Sequence, residues 1–212
     1  MKTYIQMIVV LSVIALVSGL ALGGLQQLTF ERAQNNILKF KKIPAVADIY
    51  EIVAGKLAPA DRVAAEEGLL AEKRFIDVGG DAPVLMFVVR KDDKPYAAAI
   101  EDYGQGFGGD LGVMVGIELE TGNLVGVGIT TMAETPGVGT LVKDAGFTSQ
   151  FEGLGPDAVV KVKKDGGEID AVSGATISSR AVTLAIEKAR AFYDEHAAAI
   201  QEAASQQPEA AE

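Results

Sequence analysis

Ile5 to Leu25 is a run of 21 positions in which only Gln6, Ser12 and Ser18 are polar and none is charged. A run of that length and polarity can cross a bilayer as a single helix. Beyond it, Leu28, Ala33, Ile37 and Phe40 recur at helical spacing. A helix is therefore expected to continue from Gln26 to Lys42 and to end at Pro44. A cleaved signal peptide is the rival reading, because Lys2 precedes the apolar run and Gly19, Ala21 and Gly23 follow as small residues. The length of the run and the unbroken periodicity after it favour a retained anchor.

After Pro44 the pattern shortens. A helix is expected over Ala45 to Val53, and another over Pro59 to Phe75 that leads into a strand. Strand signals then repeat at Val84–Arg90, Tyr96–Tyr103, Leu111–Glu120 and Leu124–Thr131, with Thr121-Gly122-Asn123 as a hairpin turn between the last two. Strands that follow one another without intervening helices suit an antiparallel sheet. Asp144–Phe151 predicts a short helix, and Val159–Val162 and Ile169–Val172 predict strands around the Gly166-Gly167 turn. From Ser178 to about Ala198, the residues Val182, Ala185, Ile186, Ala189 and Phe192 form one apolar stripe, as in a helix packed on a sheet. The alanine-, glutamine- and glutamate-rich end predicts disorder. The expected organisation is a transmembrane anchor at 1–25 and a helical juxtamembrane and leading segment at 26–80. A mainly antiparallel α+β domain with packed helices follows at 81–200, then a disordered tail at 201–212.

Composition narrows the chemistry. The 212 residues include no cysteine, which excludes disulfides, thiolate zinc sites and cysteine-ligated iron–sulfur clusters within this chain. With His196 as the sole histidine, a histidine metal site or a Ser-His-Asp triad has too few ligands or bases, and a solvated surface position is expected for it. No catalytic residue and no metal ligand is assigned, and redox chemistry would have to come from an acquired cofactor. The net charge is −10, and 28 of the 29 acidic side chains lie from Ile43 onward. Such a domain repels nucleic acid.

One stretch carries more than structure. In Asp170-Ala171-Val172-Ser173-Gly174-Ala175-Thr176-Ile177-Ser178-Ser179-Arg180, a short apolar segment runs into three small residues, then a threonine, then a helix. A hydroxyl placed there sits where the first free N–H groups of a helix point outward, a position that suits a phosphate. The plainer reading is a helix capped by Ser178 or Ser179. Two loops add to the picture. Gly104, Gly106 and Gly109 formally make G-x-G-x-x-G, but a strand follows where a dinucleotide fingerprint needs a helix, so the reading is a flexible turn. Glu134-Thr135-Pro136-Gly137-Val138-Gly139 places Pro and Gly as the central residues of a type II turn.

The Ser-Gly-Ala-Thr segment after Asp170 resembles the flavinylation motif of the FMN-binding domain. That domain occurs in the G subunit of the Rnf electron-transport complex and the C subunit of the sodium-pumping NADH:quinone reductase. The loop at 134–139 is similar to a Glu-Thr-Pro-Gly-Leu-Gly loop of the same subunits, with Val138 in place of Leu and Met132-Ala133 where a histidine often precedes the Glu. The glycine-rich entry near 104–109 is also similar. The resemblance implies covalent FMN on Thr176 through a phosphoester. It implies close backbone access at Ser173, Gly174 and Ala175, and a loop-shaping role for Asp170. Ser178 and Ser179, with the adjacent backbone N–H groups, would hold the phosphate, and the ring would lie near Glu134, Thr135 and Gly137. It further implies a flavin transferase that uses FAD and magnesium, partner subunits that are membrane-embedded or cluster-bearing, and a single-pass protein of the inner membrane. The soluble domain would lie on the outer face, whereas a count of positive charges around the anchor points the other way. An Rnf-type G subunit fits the short chain best. The C subunit of the quinone reductase is the alternative, and an anchored binding domain without cofactor a more distant one.

Overall fold

The computed structural model describes residues 2–80 and 82–207. The chain forms two compact units, Met1–Phe40 and Lys41–Glu212. The first consists of helix α1, Lys2–Ile37, in which Lys2–Gln26 has a mean hydropathy of 2.5 and no buried side chains. A π-helical turn, Leu38–Lys42, follows it and leads into α2, Ile43–Ala54. Pro44 therefore starts a helix here and does not end one. At the first turn its missing N–H costs nothing and its fixed φ is already helical.

In the second unit α2 is followed by α3 (Pro59–Ala71) and by five strands: β1 Lys73–Ile76, β2 Val84–Lys91, β3 Lys94–Gln105, β4 Asp110–Glu118 and β5 Leu124–Thr131. All neighbours are antiparallel, in the order β1-β2-β3-β4-β5. The β2–β3 hairpin turns on Asp92 and Asp93, at φ 50 and φ 60, the positive-φ pair that a type I′ turn requires. The expected antiparallel α+β fold is present, and β5 matches its expected bounds.

The sheet is covered on both faces, which explains why its strands are apolar runs and not alternating patterns. Met86 to Val89, Ala97 to Ile100 and Leu111 to Ile117 are each buried without a break. One set of side chains, including Met86, Val88, Ile100, Val113 and Val115, meets the long helix α5, Thr176–Ser205, through Val182, Ala185, Ile186, Ala189 and Tyr193. Behind the other set lies α2. A Cβ on Gly128 would stand 2.4 Å from the carbonyl oxygen of Ala45. Glycine there lets the helix backbone rest directly on the sheet. On the α5 face a Cβ on Gly104 would lie 1.9 Å from the Ala181 carbonyl oxygen. The second approach sets α5 against the sheet.

Several boundaries differ from expectation. Residues 41–80 belong to the same compact unit as the sheet, because α2 is one of its covering layers. Asp144–Phe151 forms α4 (Ala145–Thr148) followed by a 3₁₀ turn, Ser149–Phe151. Val159–Val162 and Ile169–Val172 are not strands; one isolated bridge joins Val162 to Ile169, around a 3₁₀ turn at Lys163–Asp165. Val160 and Ile169 are buried in the same cluster as the α5 stripe and need no ladder, whereas Val159 is exposed. Helix α5 runs to Ser205, past the expected start of the tail at 201, because Ile200, Ala203 and Ala204 are buried. Positions 208–212 of that tail lie outside the described residues. His196 interrupts α5 with φ −117 and packs its ring 4.7 Å from that of Phe192, so it is half-buried and not fully solvated.

Candidate functional site

Thr176 is the first residue of α5, two positions earlier than its serines suggested, and is half-buried. The N-cap position is Ala175, and no side chain caps this end of the helix. The N–H groups of Thr176, Ile177 and Ser178 therefore have no acceptor within the helix, and they lie at the positive end of its dipole. An anion is favoured at that end.

The segment leading into it is a tight turn. The Ala175 N–H donates to the Val172 carbonyl at 3.0 Å. Gly174 stands at φ +79, which glycine adopts without a Cβ penalty. Ser173 and Gly174 are exposed, and Ala175 is buried. Asp170 is exposed, and its carboxylate meets Lys163 Nζ at 2.7 Å.

Neither serine acts as foreseen. Ser178 and Ser179 are buried, and their hydroxyls are committed within the protein. Ser179 Oγ accepts from the Val172 N–H at 3.0 Å and donates to the Ala175 carbonyl at 2.9 Å. Ser178 Oγ donates to Glu134 Oε2 at 2.7 Å. The expectation that one of these hydroxyls caps the helix is therefore corrected: the N-cap is Ala175 and no side chain caps it. Their side chains fasten the start of α5, which leaves the backbone N–H groups as the donors toward an anion.

Glu134 is 8% exposed. Its Oε1 accepts from the Phe107 N–H at 2.8 Å and, at 3.4 Å, from that of Gly108. One carboxylate thus joins the β3–β4 turn, its own loop and the first turn of α5. Each oxygen accepts at least one hydrogen bond from within the protein, so Glu134 shapes the site. The β3–β4 connection is a turn closed by Gly106 N–H to the Gly109 carbonyl, as read from the sequence. The turn predicted at Thr135–Val138 also forms. The Val138 N–H donates to the Thr135 carbonyl at 3.2 Å, Gly137 has φ +75, and its N–H reaches Thr140 Oγ1 at 2.9 Å. A Cβ on Gly174 would sit 3.6 Å from Val138 Cγ1, so this loop and the threonine loop are in contact.

Around that junction the surface is apolar. Phe107 is 71% exposed, Ile177 47%, Val138 40% and Leu141 38%. Isolated exposed apolar residues are ordinary. Here, however, Ile177 follows Thr176 directly, Val138 lies on the loop that meets Gly174, and the Leu141 N–H donates to the Val138 carbonyl. The Phe107 backbone is tied through Glu134 to Ser178, so each segment that joins at this helix end carries one. A group with an anionic end and an aromatic end fits both halves of the site, and FMN is such a group.

Exposed charged side chains also stand near the start of α5. Arg180 forms a two-bond pair with Asp165, with both distances 2.6 Å. That pairing holds the Asp165 carboxyl below the ordinary aspartate value and raises the guanidinium, while burial opposes both shifts. Sequence reasoning singled out neither this pair nor Gln150, Phe107 and Ile177. A lone Gln or exposed Phe carries no spacing signal, and only the fold brings them to the loop.

Residues 106–191 match the FMN-binding domain family. The G subunit of the ion-translocating oxidoreductase complex of Vibrio cholerae (strain O395) is 34% identical over 127 residues, covering 56% of this chain and 60% of that protein. The protein of the same name from Salmonella typhi is 38% identical over 122 residues, covering 51% and 59%. The chain thus spans about three-fifths of these relatives' length. Among solved structures, the C subunit of the Na(+)-translocating NADH-quinone reductase from Parabacteroides distasonis has the same fold. Its TM-score is 0.54 at 20% identity, over 75% of this chain and 90% of that one.

Proposed function

We propose that this chain, which carries an FMN-binding domain at residues 106–191, is a membrane-anchored electron-transfer flavoprotein subunit of an Rnf-type ion-translocating oxidoreductase. Thr176 would carry FMN as a covalent phosphoester. The observation that supports this most strongly is the placement of Thr176 at the first position of an uncapped, 30-residue helix. The first N–H groups of that helix have no acceptor within it, and Phe107, Val138, Leu141 and Ile177 are exposed apolar residues on the segments that join there.

In this reading the backbone N–H groups at the start of α5 hold the phosphate, with Gly174 allowing close approach. The apolar side chains keep water from one face of the bound group, and Glu134 holds the three contributing segments in register. When bound, the flavin supplies the one- and two-electron chemistry that this set of side chains lacks. Because no base is paired with Thr176 among the described residues, a separate flavin transferase would install the group from FAD with magnesium. In that reaction Thr176 Oγ1 would form the new bond to phosphorus as the phosphoanhydride bond breaks, AMP would leave, and the hydroxyl proton would pass to the transferase. Electron partners would be neighbouring membrane-embedded and cluster-bearing subunits. The domain would lie on the outer face of the inner membrane, where a freely dissociating FMN could not be recovered and a covalent bond retains it.

The test is denaturing gel electrophoresis of the full chain co-expressed with a flavin transferase. A fluorescent flavin band that disappears in Thr176→Ala is the expected result. A wild-type band without fluorescence, or fluorescence surviving in Thr176→Ala, overturns the proposal.

A further inference from the structure

The segment that carries Thr176 crosses the surface without a strand partner, yet its N–H groups at 170, 172 and 175 all have acceptors inside the protein. Two side chains supply most of this. Gln150 Oε1 accepts from the Asp170 N–H at 2.8 Å, while Gln150 Nε2 donates to the Asp170 carbonyl at 3.1 Å. That reproduces, from a side-chain amide, the two-bond exchange that a neighbouring strand residue would make. Ser179 Oγ then takes the Val172 N–H and closes on the Ala175 carbonyl.

The clasp rests on fixed supports. Gln150 lies in the 3₁₀ turn Ser149–Phe151, between Phe147 and Phe151, which are 3% and 0% exposed. Their rings meet edge to face at 5.4 Å. Ser179 belongs to α5 and is itself buried. The other tie on the segment, Lys163 to Asp170, leaves 58% and 69% of the two side chains exposed, and a pair that open holds little. Ser173 and Gly174 are exposed and small, so without the clasp this stretch has few restraints.

From this we infer that Gln150 and Ser179 are positioning residues that lock Asp170–Ala175 into one backbone conformation, so that the group borne by Thr176 is held in a fixed direction and does not swing. The inference rests on the reading of Thr176 as the attachment point, but its first measurement does not depend on that reading.

The experiment uses the full chain in nanodiscs. On a flavin-free Thr176→Ala background, amide hydrogen exchange at Asp170 is expected to rise about five- to tenfold in Gln150→Ala, the cost of one side-chain hydrogen bond. The rise should be smaller in Gln150→Glu, which keeps the acceptor and loses the donor. Ser179→Ala should raise exchange at Val172 in the same way. On the flavinylated chain, time-resolved fluorescence anisotropy of the bound FMN should gain a fast local component in Gln150→Ala and a smaller one in Gln150→Glu. A merely stabilising residue would lower the unfolding midpoint without producing that component. Unchanged exchange at Asp170, or flavin motion identical to wild type in both Gln150 variants, overturns the inference. A wild-type chain that never acquires flavin refutes the reading of Thr176 instead, and the exchange measurement still decides the clasp.

Discussion

Glu134→Ala removes the carboxylate on which three segments of the site converge. Ser178 Oγ at 2.7 Å and the Phe107 N–H at 2.8 Å lose their acceptor in a region where Glu134 is 8% exposed, while the 3.4 Å contact to Gly108 adds little. A hydrogen bond to a charged group contributes about 1.5–3 kcal/mol, and buried donors left unmet carry their desolvation penalty. Removing the buried charge also relieves its own desolvation cost, which places the loss at the low end. Two bonds at that end give about 3 kcal/mol, a large share of the roughly 5–15 kcal/mol that holds a domain folded. With a urea dependence of about 1–3 kcal/mol per molar, the unfolding midpoint should fall by about 1–3 M. The Glu134→Gln variant keeps a carbonyl acceptor for the Phe107 N–H and offers an amide donor to Ser178 Oγ, so its cost should be about 1 kcal/mol or less. Urea unfolding of both variants, followed by tyrosine fluorescence, measures the difference. A loss below about 1 kcal/mol in Glu134→Ala, or equal losses in the two variants, would refute the role given to this carboxylate.

Other outcomes follow from the same geometry. Gly128→Ala places a Cβ 2.4 Å from the Ala45 carbonyl oxygen and should destabilise the sheet unit by about 1–3 kcal/mol or more through overpacking, read as a drop in thermal midpoint. The Asp165 carboxyl, held low by Arg180, should titrate below the ordinary aspartate value by NMR. A carboxyl with a depressed folded value contributes its stabilisation above the unfolded value and loses it as pH falls through the folded one. Exchange at the start of α5 should therefore rise only in strong acid, and Arg180→Gln should return the titration to the ordinary range.

Much of this fold was legible because its signals are local. Apolar runs bounded by turn residues located β2 to β5, and the Pro-Gly pair identified the type II turn with Gly137 at φ +75. The apolar stripe of α5 also read correctly, apart from Tyr193 taking the buried place expected of Phe192. Failures came where tertiary context decides. Val160 and Ile169 are buried as strand residues would be, but in the cluster beneath α5 and without a ladder. Ser178 and Ser179 have the composition of a cap, yet their hydroxyls serve Glu134 and the Val172 backbone, so the helix starts before them. The site divides in the same way. Thr176 and the two glycine turns are visible as motifs, whereas Gln150 is brought to Asp170 from 20 positions away by folding alone.

The central claim is a bond between Thr176 Oγ1 and a flavin nucleotide, and mass spectrometry of the tryptic peptide Asp165–Arg180 tests it most directly. Prepared from the full chain in cells that contain a flavin transferase, the peptide should be heavier by the mass of FMN less one water, with fragment ions placing the addition on Thr176. The unmodified mass throughout, or an addition on Ser173, Ser178 or Ser179, would contradict the account.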